Sequence, residues 1–113
     1  MTDCLFCNIA NKTLKTDFVY EDEHVVAFND IHPQAPIHIL IIPKQHIATI
    51  NDIPETDEAL VGHLFTVAKI IAENLHIAAD GYRVIMNCNQ HGGQAVYHIH
   101  LHLLGGKPLR WIF

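Results

Sequence analysis

Large apolar residues recur at helical spacing along one long stretch of the chain. Leu60, Leu64, Val67, Ile70, Ile71 and Leu75 predict an amphipathic helix over residues 57–75 that buries a single stripe. Elsewhere the apolar runs are short and read as strands. Residues 18–20 and 24–29 predict a hairpin around the polar turn Glu21-Asp22-Glu23, and residues 38–42 a central strand ended by Pro43. Residues 82–87 and 95–104 predict two more strands, and residues 4–14 a short amphipathic helix or turn. Between these lie breaks of recognisable chemistry. Pro33 and Pro36 make residues 30–36 a loop, Asn51, Asp52 and Pro54 mark another, and Gly81 eases the exit from the long helix. The polar segment 89–93 ends in Gly92-Gly93, which permits close backbone approach. The sum is an α+β fold: an antiparallel sheet of about five strands, one face backed by the long helix, with a short N-terminal helix.

A chain of 113 residues has room for one hydrophobic core, so residues 1–113 are expected to form a single domain. No repeat or low-complexity linker interrupts it. Half of the residues are hydrophobic, which excludes general disorder. No apolar run reaches bilayer length and the start lacks the pattern of a signal peptide, so no membrane association and a cytoplasmic location are expected. The net charge of -5, without a Lys/Arg cluster, excludes a general nucleic-acid grip but not a single bound nucleotide. Cys4, Cys7 and Cys88 make no complete disulfide framework, and Cys4 and Cys7 form a CxxC pair suited to a reducing compartment. In the tail 105–113, Leu109, Trp111, Ile112 and Phe113 should be covered, by a second subunit or by the chain itself.

The ten histidines carry the chemistry. In His98-Ile99-His100-Leu101-His102-Leu103, strand alternation puts three imidazoles on one face and three aliphatic side chains on the other. The aliphatic face can enter the core while the imidazoles line a polar floor. Such a row offers a nucleophile, an orienting neighbour and a proton-handling group to one phosphate; a metal-binding row is the other chemical reading.

The segment from Gly92 through Gln94-Ala95-Val96-Tyr97 to Leu104 resembles the histidine triad signature. Together with Asp30-Ile31-His32-Pro33-Gln34-Ala35-Pro36 and Ile42-Pro43-Lys44-Gln45-His46-Ile47, it resembles the histidine triad (HIT) nucleotide-binding proteins, in the branch of the purine nucleoside phosphoramidases. The likeness covers essentially the whole chain. It implies a HIT-like fold, and a homodimer in which two subunits build one continuous ten-stranded sheet. It implies an enzyme that cleaves at the α-phosphate of purine nucleoside phosphoramidates, such as AMP or GMP conjugates, with no cofactor required for catalysis. His100 would be the nucleophile that forms a nucleotidyl-histidine, oriented by a backbone carbonyl near His98. His102 would contact a nonbridging oxygen or balance protons, His38 would be an additional active-site histidine, and Asn87 and Gly93 would meet the phosphate. Asp30 would receive the ribose hydroxyls, with Phe6, Phe28, Ile31 and Leu40 as apolar walls around the base.

One position departs from the family. Where the relatives commonly carry serine or threonine to donate towards the leaving group, this chain has Ala95. A weakly catalytic nucleotide-binding regulatory module is therefore an alternative, and a dinucleoside polyphosphate hydrolase is the enzymatic one. Cys4, Cys7, His46 and His98 match a structural zinc arrangement found in some bacterial-like members, as thiolates and imidazoles suit tetrahedral Zn2+. An unmetallated pair of thiols is the other reading. His24, His32, His63, His76 and His91 receive no chemical role, and Cys88 is read as a buried thiol.

Overall fold

The computed structural model describes residues 2–111. Its elements run α1 (Leu5–Ala10), β1 (Phe18–Glu21), β2 (Val25–Asn29), β3 (Ile37–Pro43), α2 (Glu58–Asn74), β4 (Tyr82–Ile85), α3 (Asn89–Gly92) and β5 (Leu101–Gly105). Two short 3-10 turns, Ile50–Asp52 and Glu55–Asp57, lead into α2. The five strands form one antiparallel sheet in the order β1-β2-β3-β5-β4. This is the α+β architecture expected from the pattern, with β3 at its centre.

The Ile-rich run of β3 explains that position, because a strand buried on both faces needs apolar residues at consecutive positions. Six of its seven residues are buried, and Pro43 is its last residue, paired with Val25 of β2. The hairpin between β1 and β2 is set by Asp22, whose Oδ1 accepts from the backbone N–H of His24 at 2.8 Å and of Val25 at 2.9 Å.

Two apolar clusters lie on opposite faces of the sheet. On one face Val25, Ala27, Ile39, Ile41, Leu101 and Leu103 meet Leu64, Val67, Ala68 and Ile71 of α2. Each fully buried large aliphatic side chain there contributes roughly 1.5–3 kcal/mol. On the other face Phe6, Ile9 and Ala10 of α1 cover Val26, Phe28, Leu40 and Ile42. Since α1 has only 6 residues, it covers the β2–β3 side and leaves the β5–β4 side open. That opening positions the site.

Several expected boundaries move. The first helix stops at Ala10, not near residue 14, and Lys12 adopts a left-handed φ of 66°. Leu75 lies just past the end of α2 and is 38% exposed, so the buried stripe ends at Ala72. The fourth strand ends at Ile85, and residues 89–92 close into a single helical turn capped by Gly93 at φ 78°. The last strand starts at Leu101, so His98 and His100 precede the ladder. Their stretch comes out of a bend that ends at His98 and is tied elsewhere, with the Ile99 N–H donating to the Ile47 carbonyl at 2.8 Å. Cys88 is half-buried rather than buried. In the tail, Leu109 is half-buried while Trp111 is 79% exposed; Ile112 and Phe113 lie outside the described residues.

Candidate active site and metal cluster

The three histidines of the row share one side of the chain although only His102 belongs to a strand. Ile99, Leu101 and Leu103 enter the core beneath α2, which turns His98, His100 and His102 to the opposite face. Gln94 braces the segment that leads into the row. It is buried, its Nε2 donates to the Ala48 and Val96 carbonyls at 2.7 and 3.1 Å, and its Oε1 accepts from Asn89 N–H at 2.9 Å.

Hydrogen bonds fix the tautomer of each imidazole. His100 Nδ1 lies 2.8 Å from the carbonyl of His98, which can only accept, so Nδ1 carries the hydrogen and Nε2 keeps its lone pair. Burial pushes the His100 imidazole below the ordinary histidine range, against the opposing pull of the His98 carbonyl and of the Asp30 charge. A neutral ring with a free Nε2 is a nucleophile. Phe6 packs edge-on against it, ring centroids 5.1 Å apart.

His102 and His38 form a second unit. The backbone N–H of Gln34 donates to His38 Nδ1 at 3.1 Å, so the hydrogen of neutral His38 sits on Nε2. That Nε2–H donates to His102 Nδ1, 2.9 Å away, with Asp30 Oδ2 a further 3.5 Å neighbour. His102 is thereby left with its hydrogen on Nε2, as a donor on the open face. Burial first, and then the neighbouring His100 and His38, lower His102 to about 4.

Asp30, His38 and His102 bring three potential ligand atoms together, yet the Gln34 contact argues against a metal there. It uses the Nδ1 lone pair, so His38 would have to lose its only ring proton to ligate through Nε2.

The other cluster has the opposite disposition. Cys4, Cys7, His46 and His98 converge within 4.8 Å, as the family resemblance implied. The Nδ1 of His98 lies 3.4 Å from Cys4 Sγ, 3.5 Å from Cys7 Sγ and 3.3 Å from His46 Nδ1, and Cys7 Sγ lies 3.2 Å from His46 Nδ1. Ligands at zinc–sulfur and zinc–nitrogen bond lengths around a tetrahedron stand roughly 3.3–3.8 Å apart. His98 Nε2 donates to the Pro43 carbonyl at 2.8 Å, so the lone pair on Nδ1 is aimed at the cluster, the orientation outer partners impose on a metal-bound imidazole. Burial lowers His98 to about 4, which keeps it neutral. The Cys7 thiol is pushed up to about 11 by burial and by Cys4, so a cation is what would hold it as thiolate. The donor set fits a structural zinc.

The remaining predicted residues fall around the triad. Phe28 and Leu40 are buried beside Phe6, which contacts Phe28 edge-on at 5.6 Å. Asp30 is half-buried at the end of β2 and accepts the His32 N–H at 2.8 Å, whereas Ile31 is 85% exposed. Asn87 follows β4, and its amide nitrogen donates to the Gly92 carbonyl at 2.6 Å, tying the loop that carries exposed Gly93 and Ala95. The Gly93 N–H donates to Gln90 within its own turn at 3.1 Å. Sequence reasoning missed the backbone of Gln34, because a main-chain donor has no side-chain signature. It also missed Arg83, which donates to the tail carbonyls of Arg110 at 2.9 Å and Leu109 at 3.5 Å.

Residues 11–109 match the model of the HIT domain. The chain is 55% identical over 107 residues to the purine nucleoside phosphoramidase of Escherichia coli strain K12, covering 95% of this chain and 90% of that protein. Its fold matches the crystal structure of a HIT family hydrolase from Legionella pneumophila with a TM-score of 0.94 at 50% identity, covering 96% of this chain and 97% of that one. A histidine triad protein from Clostridium difficile matches with a TM-score of 0.96 at 44% identity, over 100% and 98% of the two chains. No helix among the described residues is long and apolar enough to cross a membrane.

Proposed function

Given that the chain belongs to the HIT domain family, we propose that it hydrolyses purine nucleoside phosphoramidates through a nucleotidyl intermediate on His100. The observation that carries this reading is the 2.8 Å hydrogen bond from His100 Nδ1 to the His98 carbonyl, which leaves a neutral imidazole with its lone pair on Nε2. The 55% identity to a purine nucleoside phosphoramidase supports the substrate class.

In the first step the Nε2 lone pair of His100 forms a bond to the α-phosphorus. The phosphorus–nitrogen bond of the substrate breaks, and its electron pair leaves with the amine, which takes up a proton. Ala95 supplies no donor for that proton, but it is exposed, so water delivers it. The imidazole ring, now cationic, is a good leaving group. In the second step water attacks phosphorus and gives up a proton to solvent, the phosphorus–Nε2 bond breaks with its electron pair returning to His100, and AMP or GMP is released. His102 Nε2–H, held outward by His38, donates to a nonbridging oxygen in both transition states. Asp30 accepts the ribose hydroxyls, and Phe6, Phe28 and Leu40 wall the base, with Ile31 closing over it from the loop. Asn87 holds the phosphate loop in place, and Gly93, lacking a side chain, lets a phosphate oxygen come close to the backbone.

Cys4, Cys7, His46 and His98 would hold a structural Zn2+ when it is bound, pinning α1 to the histidine row. Catalysis itself requires no cofactor in this scheme. The whole of residues 1–113 acts as one domain, and the outer edge of β4, which no strand of the described residues pairs and where Tyr82 and Ile85 are each 37% exposed, suits pairing with the same strand of a second subunit. Three free cysteines suit a reducing, cytoplasmic setting.

A single-turnover assay with an adenosine phosphoramidate tests the reading, comparing the protein with its His100→Ala variant. AMP release and an acid-labile protein adduct, both lost on substitution, are the expected result. Equal AMP release by the two proteins without an adduct would rule the mechanism out. Binding of AMP without any turnover would favour the weakly catalytic nucleotide-binding module instead, for which Ala95 is the sequence argument.

A further inference from the structure

A cavity of about 420 Å³ opens beside His102 and Asn87 and runs over β4 to the tail, where Arg83, Ile85, Leu109 and Arg110 line it. Its volume is that of a small-ligand site. Arg83 and Ile85 are two residues apart on β4 and so share a face. Ile85 is paired with His102 and Arg83 with Leu104, so this is the face that carries the triad. Phe28 and Leu40 stand on β2 and β3, across β5 from β4, so a base held there sends the other substituent of the phosphorus over β4.

The charge of the cavity is one-sided. Two guanidinium groups line it, and none of its lining residues among the described ones is acidic. Arg83 donates to two tail carbonyls, an arrangement that fastens the tail as one wall, and a guanidinium has five N–H donors in all. Arg110 is exposed at the rim. Arg83 lies about 7 Å along the strand from the residue opposite His102, within reach of an anionic group two or three bonds beyond a departing nitrogen.

We infer that this cavity is the subsite for the leaving group, and that it selects amines carrying an anionic oxygen group, a carboxylate or a phosphoryl, which Arg83 and Arg110 bind. This rests on the phosphoramidase reading above. Planar guanidinium groups suit both anions, and a neutral amine would bring no opposite charge to a cavity whose described lining holds none.

The test compares kcat/KM for three AMP conjugates joined through nitrogen: glycine, glycinamide and aminomethylphosphonate. The protein should favour at least one anionic conjugate over the glycinamide conjugate by tenfold or more, and the better of the two identifies the anion. In Arg110→Gln and in Arg83→Gln that ratio should fall towards one. Equal use of all three conjugates by the unsubstituted protein would overturn the subsite while leaving the phosphoramidase reading intact. So would a ratio that survives both substitutions. If none of the three is hydrolysed while adenosine phosphoramidate is, the subsite alone is overturned; if adenosine phosphoramidate is not hydrolysed either, the phosphoramidase reading fails and the subsite with it.

Discussion

His38 Nε2 stands 2.9 Å from His102 Nδ1, and the direction of that hydrogen bond is set by a third group, the backbone N–H of Gln34 on His38 Nδ1. A main-chain amide cannot change its role, so it dictates which nitrogen of each ring carries hydrogen. The chain of contacts ends at His102 Nε2–H on the open face, where a phosphate oxygen would lie. The side-chain acid Asp30, 3.5 Å from the same His38 nitrogen, adds negative charge without altering the direction.

Substituting His38 should therefore impair His102 without removing it. In His38→Phe, His102 Nδ1 loses its donor and the ring is free to flip or to exchange tautomers. Losing one partner of a buried hydrogen bond costs about 1–3 kcal/mol, which corresponds to a tenfold to hundredfold drop when expressed in the transition state. Steady-state kinetics should show the loss mainly in kcat, with the His100 adduct still forming.

Activity should persist on the acid side. Burial lowers His100 below the ordinary histidine range and His102 to about 4, and the mechanism uses both rings neutral. A pH profile of kcat/KM should place its acid limb below the ordinary histidine pKa. An acid limb centred at the ordinary value would contradict the burial argument. Stability follows the same sign for His98, whose pKa of about 4 lies beneath its unfolded value. The unfolded chain binds the proton first, so the contribution is complete above the unfolded pKa and is lost as pH falls towards 4.

Metal should act on stability. The protein loaded with Zn2+ should bind one ion per chain through Cys4, Cys7, His46 and His98, measured by mass spectrometry under native conditions. Thermal unfolding should then shift upward by several degrees on loading and back on chelation, since a ligand bound only to the folded state stabilises it by mass action. Cys7→Ser should abolish the shift.

Asp22 should be a stability position remote from the site. Its Oδ2 receives His63 Nε2 at 2.6 Å and Tyr20 OH at 2.8 Å, while Oδ1 caps the hairpin turn. Despite the cost of burial, these donors hold the carboxyl far below the usual carboxylate range. Asp22→Ala should lower stability by about 2–4 kcal/mol in urea unfolding, since several hydrogen bonds to one charged group are lost together. A depressed carboxylate contributes above its unfolded pKa, so the difference between the two proteins should shrink as pH drops below that value.

Ala95→Ser should raise turnover. The hydroxyl would replace water as the donor towards the leaving amine at an exposed position, so folding should be unaffected. An increase in kcat of about tenfold is expected, at the lower end of what one transition-state donor contributes. The gain should be largest for conjugates of the most basic amines, which need the proton most.

The sequence by itself determined the sheet, the long helix and the side of the chain on which the triad lies. Those follow from the local alternation of Ile99, Leu101 and Leu103 with the histidines, and from the helical recurrence of Leu64, Val67 and Ile71. Such periodicities are set by backbone geometry and survive without knowledge of neighbours. The convergence of Cys4 and Cys7 with His46 and His98 was legible only through the family likeness, because nothing local joins residues so far apart. The strand's late start at Leu101 was not legible, since alternating side chains do not show where backbone pairing begins. The carbonyl near His98 that orients His100 was likewise expected from the likeness, but the tautomers of His98, His38 and His102, the Arg83 strap over the tail and the cavity beside His102 were not. These depend on main-chain donors and carbonyls from distant segments, Gln34, Pro43, Leu109 and Arg110, whose hydrogen-bonding groups are the same in every residue but proline. Which imidazole is a nucleophile, which a donor and which a ligand was decided by where those backbone atoms were placed.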